Sequence, residues 1–331
     1  MADALTERGV HVTFAGSPDR VEARLVPEAG YELDTFRIRG LPRRPSPALA
    51  RALLRAGAAP RTCRRILRAR RPDVVLGGGG FVAGPMVFAA STLRIPTALT
   101  EADAHLGLAN RLAAPFAKRL FLAYAIDSRW NRKAVVVGRP IPARSRPIPQ
   151  EEAREIFELP DDGRVLGVFG ALAGARSLNE LVVETWGEAG PHVLHITGTR
   201  DYDVVRRRAR RADYRVVAET DRPGAALSAC DLVLARSGGS VWEVAAAGKP
   251  AILVPYPFAT ADHQALNAQH FVRAGGAIMV RELDLDDVPD LVRTLLDDPA
   301  RLERMQRAML QAARPDAADE IADGLVALAT R

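Results

Sequence analysis

Short unbroken apolar runs alternate along the chain with longer segments in which apolar positions recur every three to four residues. In the first half, VHVTFAG (10–16), DVVLGGG (73–79), PTALTE (96–101) and KAVVVG (133–138) predict strands, with helical patterns at about 48–71 and 105–118. In the second half, VLGVFG (165–170), HVLHITG (192–198), YRVVAE (214–219), DLVLARSG (231–238) and PAILVPY (250–256) predict strands. Helical stretches fall at 176–188, 201–211, 223–229, 241–247 and 262–274. A run that is apolar at every position belongs to a strand covered on both faces, as in a parallel sheet. Strands alternating with helices imply right-handed βαβ units. Each half therefore predicts an α/β, Rossmann-like domain.

The boundary lies in GRPIPARSRPIPQ (138–150), which holds four prolines and no apolar periodicity. Pro at that density cannot continue a helix or occupy a central strand, so residues 140–150 predict a stiff linker. It separates an N-terminal domain, 1–139, from a C-terminal domain, 151–331, whose last helix is a candidate to pack back on the first. The carboxyl ends of both sheets would then face a shared cleft, where doubly wound sheets bind ligands. The chain opens in a helix-like segment, ADALTERG, where a nucleotide-binding α/β domain ordinarily opens with a strand and a Gly-rich loop.

Charge divides the halves. Residues 1–150 hold 25 Lys/Arg against 11 Asp/Glu, and residues 151–331 hold 21 against 29, within a net charge of +6. A basic half suits a polyanion, either nucleic acid or an anionic membrane surface. Arg outnumbers Lys 43 to 3, which equally fits codon bias with arginines solvating helix faces. Aromatic content is only 5%, and the basic segment lacks interleaved stacking residues, which argues against nucleic acid. No stretch approaches the roughly 20 apolar residues of a membrane-spanning helix, and the first residues lack the pattern of a signal peptide. The two cysteines, Cys63 and Cys230, suggest neither a disulfide framework nor a metal site. A cytoplasmic location fits.

Five clusters able to carry chemistry each follow a predicted strand. GGGGFVAGP (77–85) presents Gly79, Gly80 and Phe81 where backbone amides can approach a ligand at a helix N-terminus. FGALAGARSLNE (169–180) repeats that logic with Gly170, Gly174 and Arg176, although glycine turns after strands are common. ARSGGSVWE (235–243) delivers Ser237, Gly238, Gly239 and Ser240, whose hydroxyls and amides suit a diphosphate. Glu243, one turn on, either accepts from ribose hydroxyls or only complements the helix dipole. FATADHQALNA (258–268) gathers Asp262, His263, Gln264 and Asn267 to read sugar hydroxyls, or is N-capped by Thr260 or Asp262. TEADAHLGLANR (100–111) offers Glu101 and Asp103 as general bases, with His105 and Asn110 beside them. His105 titrates near neutrality, though a lone His in a helix is more often structural. DYD (201–203) opens an Arg-rich helix and reads as a helix cap, not a metal motif.

These residues resemble a known family. RSGGSVWEVAAAGKPAILVPYPFATADHQALNA (236–268) is similar to the donor-nucleotide signature of the MurG glycosyltransferases. GGGGFVAGP looks like their second glycine loop, FGALAGARSLN like their third, and TEADAHLGLANR like their acceptor-side segment. The resemblance implies a GT-B fold and inverting transfer of N-acetylglucosamine from UDP-N-acetylglucosamine. The acceptor would be undecaprenyl-diphosphate-linked muramyl pentapeptide, in peptidoglycan synthesis, with no metal and no cofactor. By position, Glu243 would bind ribose, and Ser240 and the neighbouring glycines the diphosphate. Gln264, with Asp262 and His263, would hold the donor sugar, and the uracil would lie on backbone near Thr220. Asp103 and Glu101 would lie near the transferred sugar. The basic segment 41–71 holds ten arginines and no acid, interleaved with Leu, Ala and Ile. It would sit on an anionic membrane, making the protein peripheral on the cytoplasmic face.

The chain departs from the family pattern. The first glycine loop is missing. Leu172 stands for a usual serine, Pro142 for an arginine, Asp103 for an asparagine and Phe258 for a common histidine. The RSGGSVWE turn is tighter than usual. Either an active enzyme has lost its N-terminal strand, or the chain is a diverged, non-catalytic binder of UDP-sugar or lipid. A UDP-N-acetylglucosamine 2-epimerase, which shares the two-domain architecture, is the remaining rival.

Overall fold

The computed structural model describes residues 1–37, 59–170 and 175–330. They form two compact units, one of residues 1–137 with 316–331 and one of residues 138–315.

The first unit runs α1 (Ala2–Thr6), β1 (Thr13–Gly16), α2 (Glu22–Glu28), β2 (Glu32–Thr35), α3 (Ala59–Arg70), β3 (Val75–Gly77) and α4 (Gly80–Thr92). It continues through β4 (Thr97–Glu101), α5 (Leu108–Ala113), β5 (Arg119–Leu122) and β6 (Ala134–Val136). The second unit comprises α6 (Gln150–Ile156), β7 (Val165–Phe169), α7 (Arg176–Trp186), β8 (His192–Ile196), α8 (Tyr202–Arg208), β9 (Tyr214–Val217) and α9 (Pro223–Ser228). It goes on through β10 (Leu232–Arg236), α10 (Val241–Ala246), β11 (Ala251–Val254), α11 (His263–Ala274), β12 (Ala277–Met279), α12 (Val288–Leu296) and α13 (Pro299–Ala312). The chain then returns to the first unit as α14 (Ala317–Ala329).

All strand pairs among the described residues are parallel, as the apolar runs predict. The second unit holds one sheet in the order β12-β11-β10-β7-β8-β9. Its first strand, β7, lies centrally, and the chain winds outward from it in both directions. Ligands bind at such a switch point, beyond the carboxyl ends of the strands. Strands β10 and β11 are buried at every residue because helices cover both faces.

In the first unit the described residues form two sheets, β1-β2 and β3-β4-β5-β6. Thr13, Phe14 and Ala15 of β1 are only half-buried. One side of this unit packs Cys63 and Leu67 of α3 with Met86, Ala89 and Ala90 of α4. Another core joins Ala98, Phe121 and Val137 to Ile321, Leu325 and Leu328 of α14, with Met1 and Leu5 beside them. The end of the chain thus supplies core for the unit in which it begins. Residues 138–150, expected as a linker, group with the second unit, and Ser145 is buried there.

Some elements were not anticipated. The strand β2 is a short edge strand with a polar sequence, ELDT, and no apolar run. The expected helix at 105–118 is only α5, followed by a single turn at Ala114–Phe116 that leads into β5. The helix α4, GFVAGPMVFAAST, is apolar nearly all round and contains Pro85, so its sequence lacks an amphipathic period.

A buried polar network ties α7 to the sheet. The Nδ2 of Asn179 donates to the Thr197 carbonyl (3.0 Å) and to Asp201 (2.9 Å). Its Oδ1 is therefore the acceptor for His195 Nε2 at 2.9 Å, and His195 Nδ1 accepts from the Tyr214 hydroxyl at 2.8 Å. Burial drives the His195 pKa down to about 3, so the imidazole is neutral. Asp201 begins α8 without a side-chain capping bond, so the DYD sequence serves this network instead of capping its helix.

Candidate functional site

In the second unit the chain leaves β10 through Ser237, Gly238, Gly239 and Ser240 and enters α10. Ser237 is fully buried, and its Oγ has no hydrogen-bond partner among the described residues. Its carbonyl accepts from Asn267 Nδ2 of α11 at 3.3 Å. Ser240 is exposed at the start of α10 and makes no side-chain cap. The turn thus presents one buried and one exposed hydroxyl with no internal use for either.

The turn is braced by a residue the sequence reading passed over. Arg236, the last residue of β10, is buried and ion-paired with Glu282. It also donates to the Val254 and Pro255 carbonyls at 3.4 Å and to Ser177 Oγ at 2.9 Å. Burial alone would raise the Glu282 carboxyl, but the Arg236 and Ser177 hydrogen bonds outweigh it and hold its pKa below the ordinary value. One guanidinium therefore fixes the ends of β10 and β11 and the start of α7 relative to one another. The available signal was a charged residue closing an apolar strand just before two glycines.

A second residue was also missed. Arg139 lies against Gly239 so closely that a Cβ there would sit 1.5 Å from its Nη1. Only glycine admits this approach. Glu243, half-buried on α10, completes the cluster. Burial pushes its carboxyl above its ordinary range, opposed by the charges of Arg139 and Arg144 and by a hydrogen bond with Ser145. A carboxylate used only to complement a helix dipole would not need burial among two arginines.

From α11, Gln264 Oε1 accepts from the Tyr256 amide at 2.9 Å, and its Nε2 lies 3.9 Å from the Cβ position of Gly238. His263 Nδ1 donates to the Thr260 carbonyl at 2.9 Å. Asp262 is exposed, at φ 52°, and makes no side-chain cap, so the capping alternative does not hold for it. Ser237, Gly238, Gly239, Ser240, Glu243 and Gln264 thus converge at one place.

The other expected donor-side residues make local contacts. Arg176 is exposed and pairs with Glu180 at 2.7 Å, one turn along α7. Thr220 follows β9 at the sheet edge, its Oγ1 accepting from the Arg222 amide at 3.1 Å. Gly170 ends β7 and is buried; Gly174 lies outside the described residues.

In the first unit, Gly79 turns the chain at φ +86° from β3 into α4, and Gly80 is already the first helical residue. Gly80 and Phe81 therefore belong to a helix and not to an open loop. Asn110 is buried, with Nδ2 donating to the Thr100 carbonyl (3.0 Å) and to Glu101 (2.9 Å). The same Nδ2 lies 3.7 Å from the Cβ position of Gly79, which brings the ends of β3 and β4 together. Asn110 Oδ1 is buried without a hydrogen-bond partner.

Glu101 is not poised as a base. Its Oε2 accepts from the Gly107 amide and from Asn110, and its Oε1 accepts from the Ala102 amide at 3.0 Å. Both oxygens hold the 102–110 loop in shape. Asp103 and His105 are half-buried within that loop. Among the described residues no group of three or more His, Cys, Asp and Glu is placed to hold a metal ion, and no helix is long and apolar enough to cross a membrane.

The glycosyltransferase family 28 N-terminal domain pattern matches residues 1–122, and its C-terminal counterpart matches 165–321. A Salinibacter ruber protein is 39% identical over 97% of this chain and 89% of its own length. It is named UDP-N-acetylglucosamine–N-acetylmuramyl-(pentapeptide) pyrophosphoryl-undecaprenol N-acetylglucosamine transferase. The crystal structure of Acinetobacter baumannii MurG superposes with a TM-score of 0.80 at 25% identity, covering 98% of this chain and 93% of that one. The chain belongs to the MurG family. Its two Rossmann-like, parallel-sheet units are those of MurG and the GT-B glycosyltransferases. A UDP-N-acetylglucosamine 2-epimerase from Neisseria meningitidis shares the architecture at TM-score 0.60 and 13% identity, over 95% of this chain and 98% of its own. That likeness is one of fold alone, whereas the MurG likeness extends through the sequence of both units.

Proposed function

We propose that the protein transfers N-acetylglucosamine from UDP-N-acetylglucosamine to undecaprenyl-diphosphate-linked muramyl pentapeptide, with inversion at the anomeric carbon. The observation that carries this reading is the convergence of Ser237–Ser240, Glu243 and Gln264 at the carboxyl end of β10 in a member of the MurG family. Glu243 accepts from the ribose hydroxyls, the turn receives the diphosphate, and Gln264 Nε2 donates to the sugar. Fixed donors of this kind stabilise the departing UDP because they need not reorganise as charge develops.

The acceptor belongs to the first unit, near Gly79 and Asn110, where the unpartnered Asn110 Oδ1 suits a hydroxyl donor. Asp103 is the base that takes the acceptor proton, since Glu101 is spent on the loop. No cofactor enters this scheme.

A lipid-linked acceptor requires contact with a membrane surface. Within the described part of the basic segment 41–71, Arg70 pairs with Glu32 and Asp34 and Arg64 donates to Thr92, while Arg61, Arg65, Arg68 and Arg71 are exposed. Residues 41–58 lie outside the described residues. A further candidate is the exposed apolar set of Phe88 on α4, Leu108 and Leu112 on α5, and Phe116. The Phe88 and Phe116 rings meet edge-to-face at 5.1 Å, and exposed Arg111 and Lys118 lie beside them in sequence. Exposed apolar groups with cations close in sequence suit peripheral binding to anionic lipid.

The test is product analysis with and without a lipid-linked muramyl acceptor, in EDTA. A β-linked N-acetylglucosaminyl lipid, formed only with acceptor, is expected. Formation of the 2-epimer without acceptor would replace this reading with the epimerase, and UDP binding without turnover would replace it with a non-catalytic binder.

A further inference from the structure

We propose that Arg139 is a phosphate-binding residue, its guanidinium seated on Gly239 to receive the diphosphate of a nucleoside diphosphate. The proposal rests on the donor-site reading above and adds a residue to it. Three observations carry it.

The first is contact. The Cβ position of Gly239 lies 1.5 Å from Arg139 Nη1, 2.1 Å from Cζ and 2.8 Å from Nη2. The whole head group, and not the aliphatic stem, occupies the space a side chain at 239 would fill. The second is an unmatched charge. Arg139 is half-buried and makes no hydrogen bond or ion pair among the described residues. Glu243 feels both Arg139 and Arg144, so one carboxylate is shared between two cations. A partly desolvated, unpaired guanidinium is unfavourable unless an anion joins it. The third is Ser237 Oγ, fully buried in the same turn without a partner, which can donate to an anion. A planar five-donor guanidinium beside a hydroxyl suits two phosphate oxygens. Glu243 one turn on takes the adjoining ribose, so the order of groups matches ribose followed by diphosphate.

The experiment compares the affinities of UDP and uridine for the full chain, its Arg139→Ala and Arg139→Lys variants, and Gly239→Ala. The added methyl of Gly239→Ala displaces only the tip of a flexible side chain, so this variant should keep its melting temperature. Arg139→Ala and Gly239→Ala are expected to lower UDP affinity by about 10- to 100-fold, the range of a hydrogen bond to a charged group. Uridine affinity should be unchanged, and Arg139→Lys should retain part of the loss. UDP affinity in Arg139→Ala should also depend less on salt.

Equal loss of UDP and uridine binding would make Arg139 a structural residue and overturn the proposal. So would unchanged UDP affinity in Gly239→Ala, or an effect confined to the KM of the lipid-diphosphate acceptor. Failure of the unmutated chain to bind UDP would instead sink the donor-site reading, and this proposal with it.

Discussion

Glu243 sits under two opposed influences, and its titration exposes both. Burial raises its pKa above the ordinary 4.5, while Arg139, Arg144 and Ser145 pull it back. A carboxyl with a raised pKa is protonated earlier as pH falls, so its capacity to accept from ribose is lost already above pH 4.5. For stability the sign is opposite: this group favours the fold most at low pH, and its contribution declines as pH rises through the raised pKa. Acidification should therefore weaken UDP binding before it weakens the fold. In Glu243→Gln that acidic limb of the binding curve should flatten, leaving only the limb of the UDP phosphate; titration calorimetry across pH 4–7 reads the difference. An identical limb in both proteins would remove Glu243 from ribose recognition. Glu243 was legible in the sequence because a motif carries it. Arg139 was not, because it precedes a proline-rich stretch and only folding brings it to Gly239. Glu101 shows the converse: a carboxylate at a strand end is a sound candidate base until its hydrogen bonds are counted.

The elements most legible in the sequence are those buried on both faces. The runs that became β7, β10 and β11 are apolar at nearly every position because helices cover both sides of the sheet. Where burial is partial or surrounds an element, the signal fades: β2 is a polar edge strand, and α4 is apolar nearly all round. Pairwise polar contacts are less visible still. The Asn179–His195–Tyr214 chain joins α7, β8 and β9 through residues with no shared motif. Asn179→Ala would strand the His195 donor and the Thr197 carbonyl in the core. It should cost about 2–3 kcal/mol, because each buried group left unpaired carries its desolvation penalty. Chemical denaturation measures this; a loss under about 0.5 kcal/mol would mean the network is not structural. The helix α14 extends the same point, since its Ile321, Leu325 and Leu328 face a core built from the first part of the chain. Leu325→Ala should destabilise the protein by about 2–4 kcal/mol, and a smaller cost would mean the helix is only loosely docked.

At the scale of the whole molecule, charge asymmetry points to an anionic partner without fixing which residues meet it. The arginines of α3 are partly neutralised by acids of β2, which composition cannot reveal. The proposed contact draws on apolar residues exposed on α4 and α5, with Leu108 at 68% and Leu112 at 62% exposure. Replacing both with Asp should abolish co-sedimentation with anionic vesicles while leaving transfer to a short-chain, soluble acceptor intact. Vesicle binding that survives would move the membrane contact elsewhere.

The central claim is that the cluster at the end of β10 handles the donor in a sugar transfer. The direct measurement is movement of labelled N-acetylglucosamine from UDP to a soluble lipid-linked muramyl acceptor, with Glu243→Ala measured in parallel. Transfer by the unmutated chain, reduced at least about 100-fold in the variant, is the predicted result. Transfer that Glu243→Ala leaves untouched, or its absence from a chain that binds neither UDP nor its sugar, would contradict the account.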